Sequence, residues 1–144
     1  MSAAVPIRAA MLHHLSFGVT HLERSAAFYD AVLGALGYVR VWEDLGTGRP
    51  DPAVGYGWVA GEDKFAIKLR SGARIESPPG FHLAFCAADR IAVRRFHEAA
   101  LKSGGRDHGA PGLRPNYGPN YFAAFVLDPD GYHLEAVFNE VVQG

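Results

Sequence analysis

The chain contains one cysteine, Cys86, in 144 residues. That count excludes an internal disulfide and any zinc site built from cysteines. It suits a reducing compartment, so the expected location is cytoplasmic. No charge of one sign prevails: 14 Lys and Arg stand against 15 Asp and Glu, for a net charge of −1. A surface that neutralises many phosphates at once is therefore excluded, and with it a dedicated nucleic-acid binder. No apolar run approaches the roughly 20 residues that span a bilayer, so no membrane partner is expected. Residues 1–10 hold one charge, Arg8, and no apolar block. They are expected to be a loose N-terminal extension, not a signal peptide. What is present is ordinary for a folded domain: 49% hydrophobic and 20% charged residues, enough to build a core without staples.

The chain repeats itself once. At an offset of 68, His14 falls on His82, Leu15 on Leu83, Phe17 on Phe85, Phe28 on Phe96, Leu33 on Leu101 and Gly37 on Gly105. Later in each copy the offset becomes 67, which sets Phe65 on Tyr132, Ile67 on Leu134 and Lys68 on Glu135. Two copies are joined by Ser71 to Gly80, a linker carrying Gly72, Pro78, Pro79 and Gly80.

Each copy reads β-α-β-β-β. Leu12 to Val19 alternates and is rich in strand formers. Thr20, with Glu23 three residues on, offers a capping box to the helix that follows. Ser25, Phe28, Tyr29, Val32, Leu33 and Leu36 form its apolar stripe, and Gly37 stops it. Tyr38 to Glu43, Tyr56 to Ala60 and Lys64 to Arg70 are candidate strands, with a Gly/Pro-rich loop from Gly46 to Gly57 and a hairpin turn at Gly61 to Lys64. The second copy gives a strand from Phe81 to Ala87, then a helix capped by Asp89 and ended by Gly104-Gly105. Gly109 to Asn120 reads as a Gly/Pro-rich loop, Tyr121 to Leu127 as a strand, Asp128 to Gly131 as a turn and Tyr132 to Phe138 as the last strand. Helices and hairpins mixed within each unit argue for an α+β fold with mixed sheets.

Strand side chains alternate between two faces. Leu15, Phe17, Leu83 and Phe85 face the helices, which leaves His14, Ser16, Gly18, His82, Ala84 and Cys86 on the opposite faces. Lys68 with Ala66, and Glu135 with His133, also face away from the helices. A histidine followed by small residues leaves room for a polar cavity. Two imidazoles and a carboxylate suit a divalent metal and leave coordination positions open. From the residues alone, a metal site and ordinary satisfied polar groups stand equally open. Tyr117 and Tyr121 flank the second Gly/Pro-rich loop, where Arg114 can clamp an anionic group. His133 lies about 7 Å from Glu135 along the strand and is a candidate substrate contact. Trp58 is read as a cavity or core residue, Cys86 as buried and inert. His13, His21, His97 and His108 are read as solvated or helix-surface residues, and Asp128 and Asp130 as turn formers, not calcium ligands.

Leu12-His13-His14-Leu15-Ser16-Phe17-Gly18-Val19, Leu22-Glu23-Arg24-Ser25 and Leu33-Gly34-Ala35-Leu36-Gly37 are matched in the second copy by Phe81-His82-Leu83-Ala84-Phe85 and by Phe125-Val126-Leu127-Asp128-Pro129-Asp130-Gly131-Tyr132-His133-Leu134-Glu135. In these segments the sequence resembles the vicinal oxygen chelate superfamily, which includes glyoxalase I, extradiol dioxygenases, fosfomycin-modifying enzymes and bleomycin-resistance proteins. The resemblance covers residues 11–139 and implies one domain of two βαβββ modules, 11–70 and 81–139, whose sheets form a cup. It also implies metal ligands at His14, His82 and Glu135, with Glu135 catalytic. Lys68 stands at the fourth ligand position, a departure from the family pattern, since a protonated lysine does not ligate. The implied activity is that of a glyoxalase-like metalloenzyme of the lyase, isomerase or transferase class. Its cofactor would be zinc, nickel, manganese or iron, and its substrate a small oxygenated molecule contacted by Lys68, Arg114, Tyr117, Tyr121 and His133. Two alternatives share the resemblance: a drug-sequestering protein of the bleomycin-resistance type, and a ferrous extradiol dioxygenase. The resemblance also implies a homodimer, with the cup built within one chain or across two.

Overall fold

The structure, a computed structural model, describes residues 10–46, 51–58 and 62–140. The expected N-terminal extension, the middle of the first loop, the end of the strand placed at Tyr56 to Ala60 and Gly61 of the hairpin turn lie wholly or partly outside them.

The elements run β1 (Leu15–Val19), α1 (Leu22–Ala35), β2 (Val39–Asp44), β3 (Ala53–Gly57), β4 (Phe65–Leu69), β5 (Leu83–Cys86), α2 (Arg90–Lys102), β6 (Arg106–Leu113), β7 (Tyr121–Leu127) and β8 (His133–Asn139). They make two four-stranded mixed sheets, ordered β1-β4-β3-β2 and β5-β8-β7-β6. In each sheet the first and last strands of the module pair in parallel and the remaining pairs are antiparallel. This is the expected α+β architecture of two βαβββ modules.

One element was hidden. β6 occupies the first half of the segment that reads as a Gly/Pro-rich loop. Proline and glycine are tolerated there because β6 is an edge strand, where a missing donor costs little. Its pairing with β7 slips between Asp107 and Gly109 and again between Gly109 and Gly112. Gly109 sits at φ +151°, a conformation open to glycine.

The helix caps divide in the same way. Asp89 caps α2, its side chain accepting from the Ala92 amide at 2.7 Å. The expected capping box on α1 is not made: His21 is the N-cap and makes no side-chain cap bond. Thr20 turns instead to the second module, donating from its amide and hydroxyl to the Asp130 carboxylate at 3.1 and 2.6 Å. A tertiary partner has displaced a local one.

The modules share one apolar core on their helix-bearing faces. Phe17 of β1 stacks on Tyr132 with ring centroids 3.8 Å apart, and Phe65 of β4 meets Phe85 of β5 edge-on at 5.5 Å. Phe28, Tyr29, Val32 and Leu33 from α1 and Val93, Phe96 and Ala100 from α2 fill the space between. No helix among the described residues is long and apolar enough to cross a membrane.

Candidate functional site

Leu15, Phe17, Leu83 and Phe85 turn to the shared core, so His14, Ser16, His82 and Ala84 are left on the outer faces of the first strands. Each outer face is a hollow, and the two share no lining residue.

The first hollow, of about 330 Å³, has His14, Lys68, Trp42, Asp44, Asp51 and Asp63 around a floor of Ser16, Ala66 and Ala53. The ladder explains the floor. Ser16 pairs with Ala66, Ala66 with Gly55, and Gly55 with Trp42, so one row crosses all four strands with side chains on one face. His14 Nδ1 lies 2.8 Å from His13 Nδ1, and the His13 ring reaches Glu62 at 3.6 Å.

The second hollow, of about 610 Å³, holds His82, Glu135, Tyr121, Tyr117, His133 and His108. Glu135 is its center. The carboxylate is 2% exposed. Tyr121 donates its hydroxyl to one oxygen, and His82 Nε2 stands 3.3 Å from the other. Burial, then the Glu135 carboxylate, push the Tyr121 phenol well above its ordinary range, so it serves as a donor. The Tyr117 ring tilts against Tyr121 at 5.4 Å.

Of the residues expected in the site, His82, Glu135, Tyr121, Tyr117 and His133 therefore converge. His14 and Lys68 lie in the other hollow. Among the described residues no three His, Cys, Asp or Glu side chains are grouped to hold a metal ion. Arg114 is not in the lining of the second hollow. Its guanidinium covers the Phe125 ring at 5.4 Å and donates to the Ala110 carbonyl at 2.7 Å.

The repeat is also corrected. Ser16 pairs with Ala66 in the first sheet, and Ala84 pairs with Glu135 in the second. With His14 set on His82, the residue in the place of Glu135 is Ala66. Lys68 lies two residues farther along the same face, opposite Gly18.

Several residues were placed differently by sequence reasoning. His108 is in the second hollow, its ring edge-on to His133 at 4.7 Å. The unrecognised strand β6 carries it there. His97 is mostly covered and reaches Asp107 at 2.9 Å. Trp42 belongs to the first hollow, and the register shift between Arg40 and Trp42 conceals it from simple alternation. Trp58 is neither core nor in these hollows. It is 63% exposed and, with Tyr38 and the exposed Cys86, borders a separate apolar groove between the modules.

Two hollows with a histidine at the same place in each, and one with a buried glutamate, can be set against known proteins. The chain is 27% identical to a glyoxalase/bleomycin resistance protein from Albidiferax ferrireducens. The match has a TM-score of 0.66 and covers 89% of this chain and 98% of that one. A glyoxalase/bleomycin resistance protein/dioxygenase domain from a Frankia species gives a TM-score of 0.68 at 18% identity, over 92% of this chain and 100% of that one. A glyoxalase I mutant from Zea mays gives 0.70 at 21% identity, over 88% of this chain but 46% of that one. The last two likenesses show the fold alone. No curated protein matches the chain. The family model matches residues 11–136, from before the first histidine to just past Glu135, and so the chain belongs to the Glyoxalase/Bleomycin resistance protein/Dioxygenase superfamily.

Proposed function

We propose that the chain is a glyoxalase-like, metal-dependent enzyme of the lyase, isomerase or transferase class, and that two copies of it build each site. The observation that carries this is the pairing of His82 with the buried Glu135 carboxylate. Their facing atoms are 3.3 Å apart, near the roughly 3 Å between two ligand atoms at adjacent corners around an ion held at about 2.1 Å. The donor types fit zinc, nickel, manganese or iron, with the carboxylate offsetting charge. One chain supplies two of the three expected donors in one hollow. The third, His14, comes from the first hollow of a second copy, which makes the assembly a homodimer.

When bound, such an ion supplies Lewis-acid polarisation of neighbouring substrate oxygens. The chain's own residues do the rest. Glu135, aimed by Tyr121, would take a proton from a substrate carbon next to an oxygen, the electron pair passing to that oxygen, and hold the proton for return to the substrate. Burial of its carboxylate excludes competing water. Tyr117, His133 and His108 line the wall against which the substrate lies, and Lys68 donates to a substrate oxygen from the opposite hollow. With Ala66 and not lysine in the place of Glu135, the ammonium is kept one rung away from the donors.

Metal analysis of protein purified without chelator should find about one divalent ion per chain, lost in Glu135→Ala. A protein that is metal-free and takes up none of the four added ions would overturn the reading. Ala66, which offers no fourth donor, favours one other reading: sequestration of a small molecule without turnover. That reading predicts ligand binding unchanged by His14→Ala.

A further inference from the structure

Trp42 lies where no other residue at position 55 would allow it. A Cβ built on Gly55 would fall 2.2, 2.4 and 2.8 Å from Nε1, Cε2 and Cδ1 of the indole. The pyrrole ring thus occupies the space of the missing side chain, pressed on the backbone of the neighbouring strand. The contact draws the indole in from edge strand β2 over the small-residue floor. Trp42 is still 36% exposed, and it lines the first hollow together with His14 and Lys68. The second module has the inverse arrangement. Its row runs Ala84, Glu135, Phe125 and Gly109, so Gly109 stands in the place of Trp42 and Phe125 in the place of Gly55. The large aromatic has changed strands between the modules, and only the first module presents an indole.

We infer that Trp42, seated on Gly55, is a platform for a flat conjugated ring, so that the first hollow selects neutral planar ligands with polar edge groups over saturated ones of the same size. An indole offers a wide polarizable surface at little entropic cost. The hollow's 330 Å³ lies at the lower end of the roughly 300–1,000 Å³ of small-molecule sites, enough for a ring and its substituents. The charges at its edge set the ligand's own charge. Lys68 donates to an acceptor, Asp63 accepts from donors, and Asp51 is engaged by Arg70 at 2.5 Å. An anion meets these carboxylates and a cation meets Lys68, whereas a neutral amide or hydroxyl serves both signs. The inference takes from the proposed function only that this hollow is part of the ligand site. It does not depend on a metal.

Benzamide and cyclohexanecarboxamide carry the same neutral amide on a flat and a puckered ring, and neither needs an ion to bind. Trp58→Phe leaves Trp42 as the only tryptophan, so its fluorescence reports on this hollow. Dissociation constants are measured by ligand-observed NMR, with and without EDTA. Benzamide should bind about fivefold tighter than its saturated analogue and quench Trp42. The preference should vanish in Trp42→Leu and fall in Gly55→Ala, which tips the indole. Equal affinities, a preference that survives Trp42→Leu, or no saturable binding of benzamide would each overturn the inference. The EDTA arm separates the two readings, because metal content decides the proposed function and ring preference decides this one.

Discussion

Tyr29 of α1 donates its hydroxyl to Asp128 of the β7–β8 turn at 2.5 Å, joining residues 99 positions apart in the chain. Asp128 is 1% exposed and also accepts from the Asp130 and Tyr132 amides at 2.9 Å each. The turn that reads as mere punctuation is thus a latch between the modules. Beside it, Asp130 holds Thr20 and Arg24 of the first module.

Removing the hydroxyl should test the latch. Tyr29→Phe keeps the ring in the core but leaves a buried carboxylate one donor short. The expected loss is about 2 kcal/mol of unfolding free energy, the usual range for a bond to a charged group. Urea unfolding at neutral pH measures it. A change of a few tenths would show that the latch is dispensable.

The same carboxylate predicts a pH dependence. Burial pushes Asp128 above the ordinary carboxylate range, opposed by the Tyr29 and backbone donors. The folded state therefore holds this proton more tightly than the unfolded state does. Its contribution is fully present below the ordinary pKa of about 3.9 and is lost as pH rises through the folded value. Relative to Asp128→Asn, the unmutated chain should lose stability on going upward from about pH 4 and then level off. Urea midpoints of both proteins across that range give the slope, and a difference growing in favour of Asp128 would refute it.

How far all this was legible follows from what each residue's neighbours are. Leu15, Phe17 and Val19 announce β1 because bulky residues alternate with small ones, and Asp89 announces α2 because a cap bonds three residues ahead. β6 was not legible, since Pro111 and Gly112 are permitted by its edge position, and that is a fact about the sheet. Thr20 was misread because Asp130 outcompetes the local amide. The pairing of His82 with Glu135 follows from alternation on two strands that lie side by side. The separation of His14 from that pair does not. It depends on which faces of the modules meet, and that is settled by contacts such as Phe17 on Tyr132, which periodicity does not encode. The equation of Lys68 with Glu135 failed for a related reason: sequence offsets slip in loops, while ladder registers do not.

Tyr121 aims Glu135 without being an expected metal donor. Tyr121→Phe removes that hydrogen bond and leaves the ring in place. Losing a partner of a ligating group typically weakens metal binding about tenfold. Competition against a colorimetric chelator should show that shift. Unaltered affinity would mean that the carboxylate is held well enough by His82 and its burial.

The cross-copy site makes a prediction that no single-chain site shares. His14→Ala spoils the first hollow and His82→Ala the second, so each variant alone should lose its metal. Mixed under conditions that exchange subunits, half of the dimers pair unlike chains. In such a pair one cup receives both substitutions and the other receives neither. About one quarter of the wild-type metal content should therefore return on mixing, with no new residue introduced. A site contained in one chain restores nothing, because every copy then carries its own defect. Metal per chain, measured before and after exchange, distinguishes the two arrangements, and a mixture as empty as its parents would rule out the shared cup.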